Sequence, residues 1–155
     1  MICETLDALR AELAPKSRLL GLDMGARTIG LALSDVTRTV ATPMDVIRRK
    51  KLANDQEILR RLVAEHDVGG LVVGLPIAMD GREGSRAQSV RRFARDLAPV
   101  LDVPIAFWDE RLSTAADERL LIEDVDMTRK RRRQVVDKMA AAYILQGALD
   151  AMSSR

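Results

Sequence analysis

Apolar residues recur along this chain with two periods, and the change from one to the other divides it. Residues 5–14 carry Leu6, Leu9 and Leu13 at helical spacing before Pro15 stops the run. Three strand-like stretches follow at 18–24, 28–35 and 40–48, the third interrupted by Pro43. Their links, Gly25-Ala26-Arg27 and Val36-Thr37-Arg38, are short and turn-rich, which favours antiparallel pairing. From residue 52 the rhythm alternates. A helix is predicted over 52–66, a continuous apolar strand over 70–75, a helix over 86–101 facing inward through Val90, Phe93, Ala94 and Leu97, and a short strand over 104–108. A helix over 113–123, a charged connector and a last helix over 134–152 complete the order. Helical crossovers require parallel strands, so the pattern predicts a mixed five-stranded sheet, three antiparallel strands then two parallel, with helices on both faces.

At 155 residues, with 47% hydrophobic and 31% charged, the chain suits one compact domain, here 18–155, preceded by a helical arm over 1–17. No apolar run reaches the length of a membrane span, and the N-terminus lacks the basic start and apolar core of a signal peptide. The lone Cys3 cannot form an internal disulfide, which suits a reducing, cytoplasmic setting.

Three carboxylates stand out by position. Asp23 ends an apolar strand between Gly21 and Gly25, where a charge is costly to bury unless paired or metal-bound. Taken alone, it also reads as a strand-end aspartate accepting backbone bonds. Glu110 lies in Asp109-Glu110-Arg111, directly after a buried strand, at the end of a sheet where ligands gather; a local ion pair with Arg111 is the plainer alternative. Asp137 begins a stripe of Ala140, Ala141, Ile144 and Ala148, so it should point at the sheet, though an aspartate early in a helix also suits the macrodipole. Together they are hard oxygen donors on separate elements, suited to Mg²⁺ or Mn²⁺. One histidine and one cysteine argue against a zinc site, and a Ser-His-Asp triad would depend on His66, a helix-end residue. Metal-assisted phosphodiester hydrolysis is the chemistry these residues favour.

The net charge of +2 does not by itself mark a polyanion binder; its distribution does more. Arg82, Arg86, Arg91, Arg92 and Arg95 lie close in sequence, and Arg129-Lys130-Arg131-Arg132-Arg133 precede the last helix, where cations oppose the helix dipole. Arg82, Arg86, Arg111 and the 129–133 run are the expected nucleic-acid contacts, the run lying on a polar connector expected to move. Aromatic residues make up only 3%, too few for a base-stacking surface, and Trp108 reads as core.

The segments Gly21-Leu22-Asp23-Met24-Gly25, Ile29-Gly30-Leu31-Ala32-Leu33-Ser34-Asp35, Val73-Gly74-Leu75-Pro76, Met79-Asp80-Gly81, Asp109-Glu110-Arg111-Leu112-Ser113-Thr114 and Asp137-Lys138-Met139-Ala140-Ala141 resemble, in this order, the YqgF family. Its members are described as nucleases maturing the 5′ end of pre-16S ribosomal RNA and as Holliday junction resolvases. The resemblance implies an RNase H-like fold with Asp23, Glu110 and Asp137 at the acidic catalytic positions. It implies a partner that is precursor ribosomal RNA or branched DNA. Ala78 departs from the family pattern, where asparagine is common. The expected assembly is a monomer or weak homodimer, with Leu6, Leu9 and Leu13 of the arm as the one candidate dimer contact. Two rivals follow from the same residues: a sugar-kinase-like phosphate loop at Asp23 to Asp35, for which the chain lacks a second domain, and a non-catalytic RNA-binding assembly factor.

Overall fold

The computed structural model describes residues 1–112 and 129–153, the side chain of Lys130 excepted. The helix expected over 113–123 and the connector after it lie outside the described residues. The order is α1 (Leu6–Glu12), β1 (Arg18–Met24), β2 (Thr28–Ser34), β3 (Ala41–Arg48), α2 (Leu52–Glu65), β4 (Val68–Leu75), α3 (Ser85–Leu101), β5 (Ile105–Asp109), a 3₁₀ turn (Glu110–Leu112) and α4 (Arg129–Ser153). The five strands form one sheet ordered β3-β2-β1-β4-β5. β1 pairs antiparallel with β2 and β2 with β3, while β4 runs parallel to both β1 and β5. This is the mixed sheet that the spacing of apolar runs predicts.

Alternation along the strands separates two cores. Leu20, Leu22, Ile29, Leu31, Leu71 and Val73 face α2 and α3, meeting Leu59, Phe93, Ala94 and Leu97. Leu19, Ala32, Val72 and Ala106 face the other way, toward α1 and α4, meeting Leu9, Ala141, Ile144, Leu145 and Ala148. Pro43 is tolerated because β3 is an edge strand and its pairing with β2 shifts register at Leu31/Ala32, beside Pro43.

Two regions differ from expectation. The last helix starts at Arg129, five residues before Gln134, so the basic run is helical and not a connector. Arginine and lysine are good helix formers, and a helix can extend past its apolar stripe on propensity alone. The arm is also part of the core. Thr5 caps α1 by accepting from the Ala8 amide, Leu6 and Leu9 are buried, and Cys3 and Met1 exchange backbone hydrogen bonds with Ile105 of β5. Arg10 donates to the Met152 carbonyl at 3.0 Å, joining α1 to the last turn of α4. Leu6 and Leu9 are therefore packed within the chain's own core, and Leu13, the third leucine of the expected contact, is half-buried against it. Replacing Leu9, fully buried, by alanine should cost about 2–5 kcal/mol in chemical denaturation. A cost near that of a surface change, within about 0.5 kcal/mol, would show the arm to be dispensable for the fold.

Candidate active site

Asp23 lies on β1 directly opposite Gly30 of β2, so both side-chain positions face α4. Gly30 has no side chain because α4 occupies the space. A Cβ there would fall 2.1 Å from the Asp137 carbonyl oxygen. Two residues back on the same face, Thr28 donates its hydroxyl to Asp137 Oδ2 at 2.8 Å. Further along β1, a Cβ at Gly21 would lie 2.7 Å from Leu145 Cβ and 3.1 Å from the Ala141 carbonyl. The helix thus rests on bare backbone at Gly21 and Gly30, which brings Asp137 down to the level of the sheet beside Asp23.

Glu110 arrives from the opposite side. β4 flanks β1, and one residue beyond their last registered pair, Leu22–Val73, stand Asp23 and Gly74. A Cβ at Gly74 would meet Ile144 Cδ1 at 2.6 Å and Glu110 Oε1 at 2.8 Å, so the Glu110 side chain lies over that glycine on the α4 face. Asp23 is therefore central, with Gly30 beneath Asp137 on one side and Gly74 beneath Glu110 on the other. All three face one end of the sheet. Their oxygens are of the kind a hard divalent cation takes. Among the described residues, however, no three acidic, histidine or cysteine side chains are gathered closely enough to form one ligand group.

The arginines divide into tied and accessible ones. Arg111 holds Asp109 with two nitrogens, at 2.7 Å from Nη2, and also donates to the Ala78 carbonyl. This hydrogen bond and charge pair keep the Asp109 carboxyl below its usual range. Arg111 thus anchors the turn that carries Glu110. Arg91 is paired with Glu83 at 2.8 Å and stacked over Phe107 at 4.9 Å, so it leaves the sequence cluster. Arg82, exposed and 3.5 Å from the Asp80 carboxylate, sits on a turn closed by the Ala78 amide donating to the Arg82 carbonyl. Arg86 is exposed and lines an opening with Arg49 and Gly25, behind the sheet from α4. Arg129, Arg131 and Arg133 are exposed on the first turns of α4, and Arg132 is half-buried. Arg129, Arg132 and Arg133 line a cavity of about 290 Å³ that reaches Asp137. A second cavity of about 280 Å³ also opens onto Asp137 and adds Arg27 and Arg48, two residues not anticipated from the sequence. Arg27 read as turn filler and Arg48 as a strand end; only strand pairing carries them to the site.

A family model described as RuvX, Holliday junction resolvase, matches residues 17–151. A protein of Paramagnetospirillum magneticum named as a candidate pre-16S rRNA nuclease is 63% identical over 142 residues, covering 92% of this chain and 91% of that one. One of the same name from Ruegeria pomeroyi is 56% identical over 150 residues, covering 97% of each. Among solved structures, Thermus thermophilus RuvC bound to a Holliday junction superposes with a TM-score of 0.57 at 15% identity, covering 88% of this chain and 96% of that one. At that identity it speaks for the fold alone, the RuvC-like RNase H architecture.

The two glycines should respond differently to a methyl group. Gly30→Ala drives Cβ into helix backbone, so it should cost about 1–3 kcal/mol and weaken amide protection in the first turns of α4. The nearest contacts of Gly74→Ala are side-chain atoms of Ile144 and Glu110, not backbone, so it should cost less. Denaturation and hydrogen exchange measure both. Equal costs would contradict the asymmetry of the two contacts.

Proposed function

Because the chain belongs to the RuvX (YqgF) family, we propose that it is a nuclease hydrolysing phosphodiester bonds of the pre-16S ribosomal RNA, with Asp23, Glu110 and Asp137 as its catalytic carboxylates. The observation carrying the residue assignment is the pair of glycines that flank Asp23 and receive the other two acids from α4 and from the 3₁₀ turn. A merely structural aspartate at a strand end needs neither.

Asp23, Glu110 and Asp137 would hold Mg²⁺ or Mn²⁺, which when bound lowers the pKa of a coordinated water and stabilises charge on the leaving oxygen. Three carboxylates repel one another, and closing them into one ligand group needs a cation's charge between them. The Thr28 hydroxyl meanwhile orients Asp137, and Arg111 secures the turn bearing Glu110 through Asp109. The exposed arginines of α4 offset the charge of the polyanion as it approaches, and Arg82 adds to them from the β4–α3 loop, whereas Arg86 lies on the other side of the sheet.

The family description also names junction resolution. Two symmetric cuts in a four-way junction need two sites held by a stable two-fold dimer. Two of the arm's three leucines, Leu6 and Leu9, are buried within the chain, and Leu13 is half-buried. Beyond Met1, the exposed large apolar side chains among the described residues fall in ones and twos along the chain: Val36 with Val40 on the β2–β3 link, Leu52 on α2, Met79 after β4, Val100 on α3 and Leu112 on the 3₁₀ turn. This favours single-strand processing of RNA.

Asp23→Asn, Glu110→Gln and Asp137→Asn should each reduce cleavage by at least about 100-fold with unchanged melting. Thr28→Val, which only orients a ligand, should cost about 10–100-fold. Chelator should abolish activity, and Mg²⁺ or Mn²⁺ restore it. Cleavage of a precursor RNA and of a synthetic junction is compared alongside mass in solution. Full activity in any one folded carboxylate variant removes that residue from the site. Paired nicks by a dimer that leaves the RNA uncut would establish the resolvase reading instead.

A further inference from the structure

The cavity of about 280 Å³ beside Asp137 is lined by Arg27, Thr28, Val46, Arg48, Arg133, Gln134 and Asp137. Its three arginines come from three elements. Arg27 lies in the turn between β1 and β2, Arg48 ends β3 directly opposite Thr28, and Arg133 is on the first turns of α4. All three are exposed. Each lacks an ion pair or side-chain hydrogen bond among the described residues, unlike Arg60, Arg91 and Arg111, which are all paired to carboxylates. Three guanidinium groups thus face one carboxylate, and that carboxylate already accepts from Thr28.

Three cations gathered about a single carboxylate leave an excess of positive charge, and none of the three is tied into the fold by an ion pair among the described residues. An anion would relieve it, and the forked guanidinium matches two oxygens of a phosphate. The cavity falls below the roughly 300–1,000 Å³ of sites that bury a drug-sized ligand, and no aromatic ring lines it. With three arginines and no ring to stack on, its lining suits a phosphate better than a base. We propose that Arg27, Arg48 and Arg133 form a phosphate clamp that grips the sugar-phosphate backbone of the nucleic-acid strand beside the scissile position, independently of its sequence and sugar. This rests on the nuclease reading for the identity of the polyanion. The clamp holds the strand against the β2–β3 edge, and its positive charge offsets the repulsion between Asp137 and the entering backbone.

The test is fluorescence anisotropy with labelled single-stranded RNA and DNA of one sequence, titrated with salt in the presence of chelator. The proteins are wild type, Arg27→Gln/Arg48→Gln and Arg60→Gln. Arg60 is on α2, across the sheet, and pairs with Glu57. Removing one arginine–phosphate interaction should reduce the slope of log affinity against log salt by about 0.7, so the slope of the double variant should fall by about 1.4, with RNA and DNA alike. Arg60→Gln should match wild type, and all three should melt together because the replaced residues are exposed. An unchanged slope in the double variant overturns the clamp. So does a reduction confined to RNA or to DNA, or failure of the wild type to bind either. Cleavage is assayed separately: a protein that binds through these arginines yet never cuts retains the clamp and loses the nuclease reading.

Discussion

The approach of α4 onto bare strand backbone is the constraint on which the site depends. At Gly21 and Gly30 a single methyl group would collide with the helix, at 2.7 Å and 2.1 Å. Small residues on the helix side, Ala140, Ala141 and Ala148, are fully buried or nearly so and complete the contact. Gln146 pins the far part of the helix to the start of β3, accepting from the Ala41 amide and donating to the Thr39 carbonyl, both at 2.9 Å. Buried Ile144, Leu145 and Leu149 supply the driving force, on the order of 1.5–3 kcal/mol each. With the helix held at both ends, the height and rotation of Asp137 follow.

Electrostatics then arranges two kinds of group about that contact. The acids sit on the α4 face near one end of the sheet, while the arginines form the rim. Some arginines stabilise the fold: Arg10 reaches the α4 carboxyl end, Arg91 ties Glu83 and covers Phe107, and Arg111 holds Asp109. Others, on the turn after β1, the end of β3 and the start of α4, surround the cavity at Asp137. A count of basic residues cannot distinguish these roles. Arg91 and Arg92 are adjacent in sequence, yet the first is half-buried in an ion pair and the second exposed.

Much of this is legible in the order of residues alone. Two-residue alternation and helical spacing are local consequences of backbone geometry, so they identify strands and helices and predict the mixed sheet. The inward direction of Asp137 is legible for the same reason, because the stripe of Ala140, Ala141, Ile144 and Ala148 defines one face of one helix. The start of α4 is not, since the basic run has no apolar period and its helicity rests on propensity. The burial of Leu6 and Leu9 is equally hidden. An amphipathic arm has the same pattern whether it covers its own core or a neighbour's.

The sequence by itself therefore determined the elements, their order and the carboxylates worth suspecting, because each depends on residues close together in the chain. Only the tertiary structure decided which residues meet. Gly30 and Asp137 are far apart in sequence, as are Gly74 and Glu110, and their contacts follow from strand register and from the seating of α4. Arg27 and Arg48 join Arg133 for the same reason: a turn, a strand end and a helix start share a cavity only after β2 has paired with β3 and the helix has closed over them.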